Sequence, residues 1–333
     1  MSAEAPRLVL EDAIRRGVFP SATAEVGSSR GPLWHEALGA AFDTLFDLAS
    51  LTKVIATSSA AMSAVGDGSL GLDQRVAAFF PEWRGADRDA ATIRDLLEHA
   101  SGLPARLVDA PPEGRREFEH EICMIALEYP PRSKSIYSDL GFILLGFLVR
   151  LDQVRLKPDT TYGTDLLFNP PPELRPRCAP TLPLDDDLRR GRTLVGEVHD
   201  NYAAALGGVA GHAGLFGTAS AVGAFARTVL RAARGDRTQP SPFTPELVEL
   251  FTTKTTVPGS SRALGWDTML PTSSCGTRMS PRAFGHVGFT GTSLWIDPVL
   301  DRYFVLLTNR VDGGGTVDQM RDVRRAFHDA YIG

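Results

Sequence analysis

Cysteine is scarce in this chain of 333 residues. Cys123, Cys178 and Cys275 are odd in number and far apart, which excludes a disulfide framework and a paired zinc-ligand motif. Long hydrophobic runs are missing too. The longest, Phe142 to Val149, falls well short of the ~20 residues that a bilayer crossing needs, so a buried helix and no membrane span are expected. A single-signed basic footprint is also absent. The formal net charge is -5, and arginines come in short mixed groups such as Arg115 and Arg116 or Arg189 and Arg190, so no nucleic-acid partner is expected. The N-terminus, MSAEAPRLVLEDAIRRG, has acidic residues and no apolar segment before a cleavage site. As written it reads as cytoplasmic, or periplasmic if a further N-terminal segment precedes it.

What is present is an ordinary globular balance, with 43% hydrophobic and 23% charged residues. A single catalytic domain over 1-333 is expected. Leu8, Leu10, Ala13 and Ile14 suggest an amphipathic helix before Gly17, and Ala22 to Val26 with Leu33 to Leu38 suggest a hairpin. Small and apolar residues from Val54 to Val65 predict a buried helix, preceded by a strand-like stretch from Leu45 to Ala49. Helices are predicted at Ile93 to His99, Phe118 to Leu127 and Leu140 to Arg150, and Leu151 to Arg192 reads as a long irregular excursion rich in proline and charge. Thr218 is placed to cap a helix running to Ala233. Gly285 to Phe289, Thr292 to Ile296 and Tyr303 to Thr308 predict strands, followed by a helix from Val317 to Tyr331. Strands near both termini predict an α/β architecture: one antiparallel sheet flanked by helices, from about 1-66 and 205-333, beside a mostly helical lobe over about 67-204.

The strongest chemical signal is Ser50-Leu51-Thr52-Lys53. Residues three apart on a helix share a face, so the serine hydroxyl and lysine amine meet. A desolvated lysine that sheds its proton could accept the hydroxyl proton, and the helix N-terminus favours a developing oxyanion. Tyr137-Ser138-Asp139 and His286-Val287-Gly288 follow downstream. The segment GGVAGHAGLFG lacks a phosphate-loop ending and reads as turn chemistry, while His199 and His212 lack metal-ligand spacing and read as loop hydrogen-bonding residues. His99 reads as a helix end. No metal and no cofactor are expected.

With LASLTK, YSDLGF and GHVGFTGTSLWIDP, the chain resembles the serine β-lactamase and penicillin-binding-protein superfamily, on the class C-like branch that includes family VIII esterases and D-amino-acid peptidases. The resemblance covers most of the chain and implies a β-lactamase/transpeptidase-like fold. It implies that Ser50 is the acylated nucleophile, that Lys53 and Tyr137 share the general-base work, and that His286 assists, standing where many β-lactamases have lysine. It also implies that Gly288 lets substrate approach the strand, and that the N-H groups of Ser50 and Phe289 receive the oxyanion.

Two departures from the family stand out. Asp139 occupies a position usually held by asparagine; facing substrate it would offer acceptors only, which disfavours acylamino substrates. Leu151 to Gly163 (LDQVRLKPDTTYG) does not resemble the helix and loop that usually follow. The expected partner is a small ester, amide or β-lactam, with esterase-like hydrolysis favoured. The alternatives are a β-lactamase or D-Ala peptidase and, in another class, a non-catalytic penicillin-binding or sensor protein.

Overall fold

The computed structural model describes residues 4-108, 110-151, 165-238 and 241-332. The chain opens with helix α1 (Glu4–Arg15), whose Leu10 and Ala13 are buried, and passes Gly17 at φ 70° into strands β1 (Ala22–Ser28) and β2 (Gly31–Leu38). Strand β3 (Phe46–Asp47) then leads into a wide, π-type helical turn, Lys53–Ser58, continued by α2 (Ser59–Gly66). Next come α3 (Ile93–Leu97), α4 (Arg115–Met124) and α5 (Asp139–Leu148). β4 (Leu166–Phe168), α6 (Asn201–Ala205), β5 (Leu215–Gly217), α7 (Ala219–Ala233) and α8 (Pro245–Thr252) follow. The chain closes with β6 (Asp267–Thr268), β7 (Phe284–Val287), β8 (Ser293–Asp297), β9 (Arg302–Thr308), α9 (Arg310–Gly313) and α10 (Val317–Ile332).

Six strands form one antiparallel sheet in the order β2-β1-β9-β8-β7-β6, so the two ends of the chain meet at the β1/β9 pairing. Side chains alternate across a strand, and here both faces are covered. Tyr303, Val305 and Leu307 of β9 enter a core built with α2, α5 and α7, whereas Phe304 and Leu306 meet α1 and α10 on the other face. Both sides of β9 are therefore apolar, and the strand reads as a continuous hydrophobic run. No helix among the described residues is long and apolar enough to cross a membrane.

Several boundaries differ from the sequence reading. The stretch from Leu151 to Arg192 is not wholly irregular: β4 pairs with β5 and completes a second sheet, β3-β5-β4. Three residues are too few to leave an alternation pattern, and β6 is shorter still. The segment expected to depart from the family, Leu151 to Gly163, lies outside the described residues apart from Leu151. Strand β7 stops at Val287, so Gly288 and Phe289 belong to the turn that follows and not to the strand.

Candidate active site

Ser50 lies where the small sheet gives way to the helix. Leu48 and Leu215 join β3 to β5 just before it (2.9 Å), and Thr52 Oγ1 accepts from the Leu215 N-H at 3.1 Å. Asp47 closes a turn beneath the serine: its carboxylate accepts the Ala49 N-H at 2.8 Å and the His199 N-H at 2.6 Å. Burial pushes that carboxyl up to about 6, against the pull of those two N-H groups. Ala49 is held at φ 47°, a left-handed conformation that a non-glycine residue adopts only when its surroundings impose it.

Lys53 is fully buried one turn on. Its Nζ donates to Ser50 Oγ (3.1 Å), Asp139 Oδ1 (2.8 Å) and the carbonyl of His212 (3.2 Å), and lies 4.7 Å from the centre of the Tyr137 ring. Desolvation is the largest single influence and lowers the lysine, but the charges and hydrogen bonds of Asp139 and Tyr137 together outweigh it and raise the lysine above its ordinary value. The resting protonation state, which the sequence leaves open between Lys53 and Tyr137, is tilted toward an ammonium on Lys53. His212 reaches this position because Gly211 passes between helices: a Cβ there would stand 1.9 Å from the Phe142 carbonyl, while Thr57 Oγ1 donates to the Gly211 carbonyl at 2.6 Å.

Asp139 does not present free acceptors to the cleft. Its second oxygen takes a 3.2 Å hydrogen bond from Arg106, which also donates to Asp200 (2.9 Å) and Asn201 (2.6 Å). Asp200 in turn pairs with His212 Nε2 at 2.7 Å, and although burial opposes ionisation, that histidine and Arg106 hold the carboxyl well below its usual range. Asp139, Asp200 and His212 offer ligand atoms within 4.8 Å of one another. With Lys53 and Arg106 already bonded to the two carboxylates, their charge is matched without a metal ion.

Tyr137 is carried on a loop fixed by His99. His99 Nδ1 accepts the Ser138 N-H at 3.0 Å, its carbonyl accepts from Ile136 N-H, and its ring lies 4.7 Å from that of Tyr137. The His286 ring lies 5.8 Å from that of Tyr137. Its Nδ1-H donates to the Val287 carbonyl at 2.9 Å, which leaves the lone pair on Nε2, a buried atom without a partner among the described residues. Burial, with Arg262 next, drops its pKa well below 6.5, so the ring is neutral.

Gly288 is also required by the packing of its own turn. A Cβ there would lie 2.1 Å from Thr292 Oγ1 and 2.6 Å from the Leu48 carbonyl, so the glycine lets the turn settle onto the chain entering Ser50. Thr290 and Thr292 tie that contact with hydrogen bonds to the carbonyls of Asp47 (2.8 Å) and Leu48 (2.9 Å). The backbone N-H groups of Ser50 and Phe289 have no acceptor among the described residues, and both residues line the cleft with Tyr137 and His286. All seven residues singled out in the sequence therefore gather within one site. Arg106, Asp200 and His99 were missed. Arg106 stands 94 positions from Asp200, and no local pattern marks such a pairing.

A helix-covered antiparallel sheet with this serine-lysine pair beside the turn that follows β7 is the β-lactamase/transpeptidase-like fold. A class C β-lactamase from Rhodobacter sphaeroides superposes with a TM-score of 0.76 at 18% identity, covering 98% of each chain. The family model described as Beta-lactamase matches residues 10–328, and the chain belongs to that family. A putative D-alanyl-D-alanine carboxypeptidase of Escherichia coli K12 is 33% identical over 318 residues, 84% of this chain and 72% of that protein. An N-acetylmuramyl-L-alanine amidase of Bacillus subtilis 168 is 30% identical over 308 residues, 80% and 68% of the two chains.

Proposed function

We propose that the chain is a serine hydrolase that cleaves esters or amides through an acyl-enzyme on Ser50. The contact that carries this reading is the 3.1 Å approach of buried Lys53 to a half-buried Ser50 Oγ at the mouth of a cleft. Ser50 Oγ attacks the acyl carbonyl while its proton passes to the Lys53 and Tyr137 pair. The oxyanion forms between the N-H groups of Ser50 and Phe289, where uncommitted donors cost no reorganisation. The pair then returns the proton to the leaving group. Water reverses the sequence and frees the acid. Because Asp139 holds Lys53 as an ammonium, the pair must first give up one proton, so acylation belongs to the alkaline side of its titration.

Esters are the favoured class, since an alcohol leaves with less help from a proton than an amine does. A second reading, an amide in a peptide that carries a carboxylate, is favoured by Arg262. Its guanidinium lies 5.1 Å from the Tyr137 ring in the cleft, with no ion-pair partner among the described residues. The names of the relatives agree with amide cleavage. The test is to incubate the protein with p-nitrophenyl butyrate, nitrocefin and a D-alanyl peptide, and to weigh the intact chain. Turnover, with an acyl adduct that Ser50→Ala abolishes, is expected. A stable adduct without turnover would make the protein a penicillin-binding sensor, and no adduct with any of the three would overturn the reading.

A further inference from the structure

Arg324 and Arg310 are buried arginines of α10 and α9, and neither has a carboxylate partner among the described residues. All their donors that find a partner go to backbone carbonyls of one turn and its neighbours. Arg324 Nη2 donates to Gly288 O (2.8 Å) and Thr292 O (3.0 Å). Arg310 donates to Phe289 O through Nε (3.1 Å) and Nη2 (2.5 Å), and to Gly315 O through Nη1 (2.6 Å). Burying an unpaired guanidinium is expensive, and burial, with Arg310 second, pushes Arg324 down from its ordinary value to about 9. An apolar contact would serve packing at lower cost, so the two buried arginines call for another account.

The account lies in one peptide unit. Gly288 O and Phe289 N belong to the same planar trans peptide, whose C=O and N-H point in opposite directions. With the carbonyl directed at Arg324, the N-H is turned the other way, and it is one of the two cleft donors left without an acceptor. A hydrogen bond from a cation to the carbonyl also polarises the amide and strengthens its N-H as a donor. Arg310 fixes the next carbonyl in the same manner, which stops the turn from rotating.

We propose that Arg324 is a positioning residue that orients and polarises the Gly288-Phe289 peptide as an oxyanion donor, with Arg310 holding the following peptide. This rests on the Ser50 acyl-enzyme reading. The effect is felt where negative charge develops, so it acts on kcat and on tetrahedral adducts and leaves the ground-state complex unchanged. Losing a whole oxyanion donor costs roughly 10²- to 10³-fold in kcat, so a weakened one is expected to cost about 10- to 100-fold.

The experiment compares wild type, Arg324→Met and Arg324→Lys, the second keeping the cation should the first not fold, with thermal melts as the check. It measures kcat and KM for p-nitrophenyl butyrate and the affinity of an aryl boronic acid, which forms an anionic tetrahedral adduct on serine. The expected result is kcat down about 10- to 100-fold in Arg324→Met with KM within about threefold, boronate affinity falling in parallel, and partial rescue in Arg324→Lys. Boronate affinity and kcat like those of wild type in a folded variant, or a loss confined to KM, would overturn the inference alone. A wild type that forms neither an acyl nor a boronate adduct on Ser50 would overturn the hydrolase reading, and this inference with it.

Discussion

Lys53 Nζ and Asp139 Oδ1 stand 2.8 Å apart, although 86 positions separate them in the chain. The lysine is fully buried and the aspartate nearly so, and the other carboxylate oxygen is taken by Arg106. In the proposed reaction this pair sets the starting protonation state of the site. Ser50 faces an ammonium, and Asp139 acts on Lys53 before it acts on any substrate. An asparagine at this position would leave both cations short of a counter-charge.

Asp139→Asn is therefore expected to change both stability and the pH profile. A lysine raised above its unfolded value of ~10.4 contributes stability that is complete below that pH and is lost only as pH rises through the folded value. At neutral pH the substitution forfeits it, at a cost of roughly 3 to 5 kcal/mol if Lys53 stays charged. The alkaline limb of kcat/KM for p-nitrophenyl butyrate should move to lower pH, because Lys53 then releases its proton more easily. Melting curves and pH-rate profiles check this. A limb that stays in place would separate Asp139 from the proton transfer.

Lys53→Met and Tyr137→Phe should each slow acylation by at least ~10²-fold, the usual effect of losing a general acid-base group. In the proposed reaction the two handle one proton, and Nζ lies 4.7 Å from the ring centre, so the double variant should lose far less than the product. Stopped-flow acylation rates for the four proteins test it. Multiplicative losses would mean that only one of the two handles the proton.

The candidate site was legible in the sequence where its residues lie close together, and its motifs were read through the family resemblance. Ser50 and Lys53 share a helical turn, and the strand β7 and turn bearing His286, Gly288 and Phe289 are marked by glycines and alternation. The protonation state of Lys53 was not legible, because it depends on a carboxylate on α5 and an arginine on a loop between α3 and α4. The same holds for His99, which reads as a helix end and in the fold carries the Tyr137 loop through Ser138 N-H. In the fold, the long apolar strands near the C-terminus announced themselves. The two-residue β6 and three-residue β4 exist through pairing with their neighbours, which no window of sequence records.

Gly288→Ala should lower both stability and turnover. Its methyl group would meet Thr292 Oγ1 at 2.1 Å and the Leu48 carbonyl at 2.6 Å, and backbone cannot yield as a side-chain end can. Overpacking of this kind costs about 1 to 3 kcal/mol. Because the turn rests on the chain leading to Ser50, moving it carries the Phe289 N-H away from the serine. A lower melting temperature with a fall in kcat larger than any rise in KM is expected. Unchanged kcat would show that the turn's position against Leu48 does not matter to the reaction.

The protein should also lose stability as pH falls from 7 to 5, and the buried histidines give the sign. Burial lowers His99 and His286 well below 6.5, His199 to about 4 and His328 to about 3, so the folded chain keeps these rings neutral. Unfolded, each binds a proton below ~6.5, and each then favours unfolding by roughly 1.4 kcal/mol per pH unit. The stability they contribute is present above the unfolded value and is lost as pH falls. Asp47 works in the opposite direction, since a carboxyl raised to about 6 binds its proton earlier in the fold than in the unfolded chain. Burial raises the Glu25 and Asp312 carboxyls as well, and with Asp47 they reduce the loss that the four histidines produce. His328 offers the cleanest test, because it lies away from Ser50 between Phe304 and Phe327, with both ring nitrogens buried and without partners. His328→Leu should reduce proton uptake on unfolding at pH 5 by about one, and should flatten the decline of melting temperature between pH 7 and 5. An unchanged slope would mean that His328 is already charged in the folded protein, beside Arg324, and the sign argument would fail at that residue.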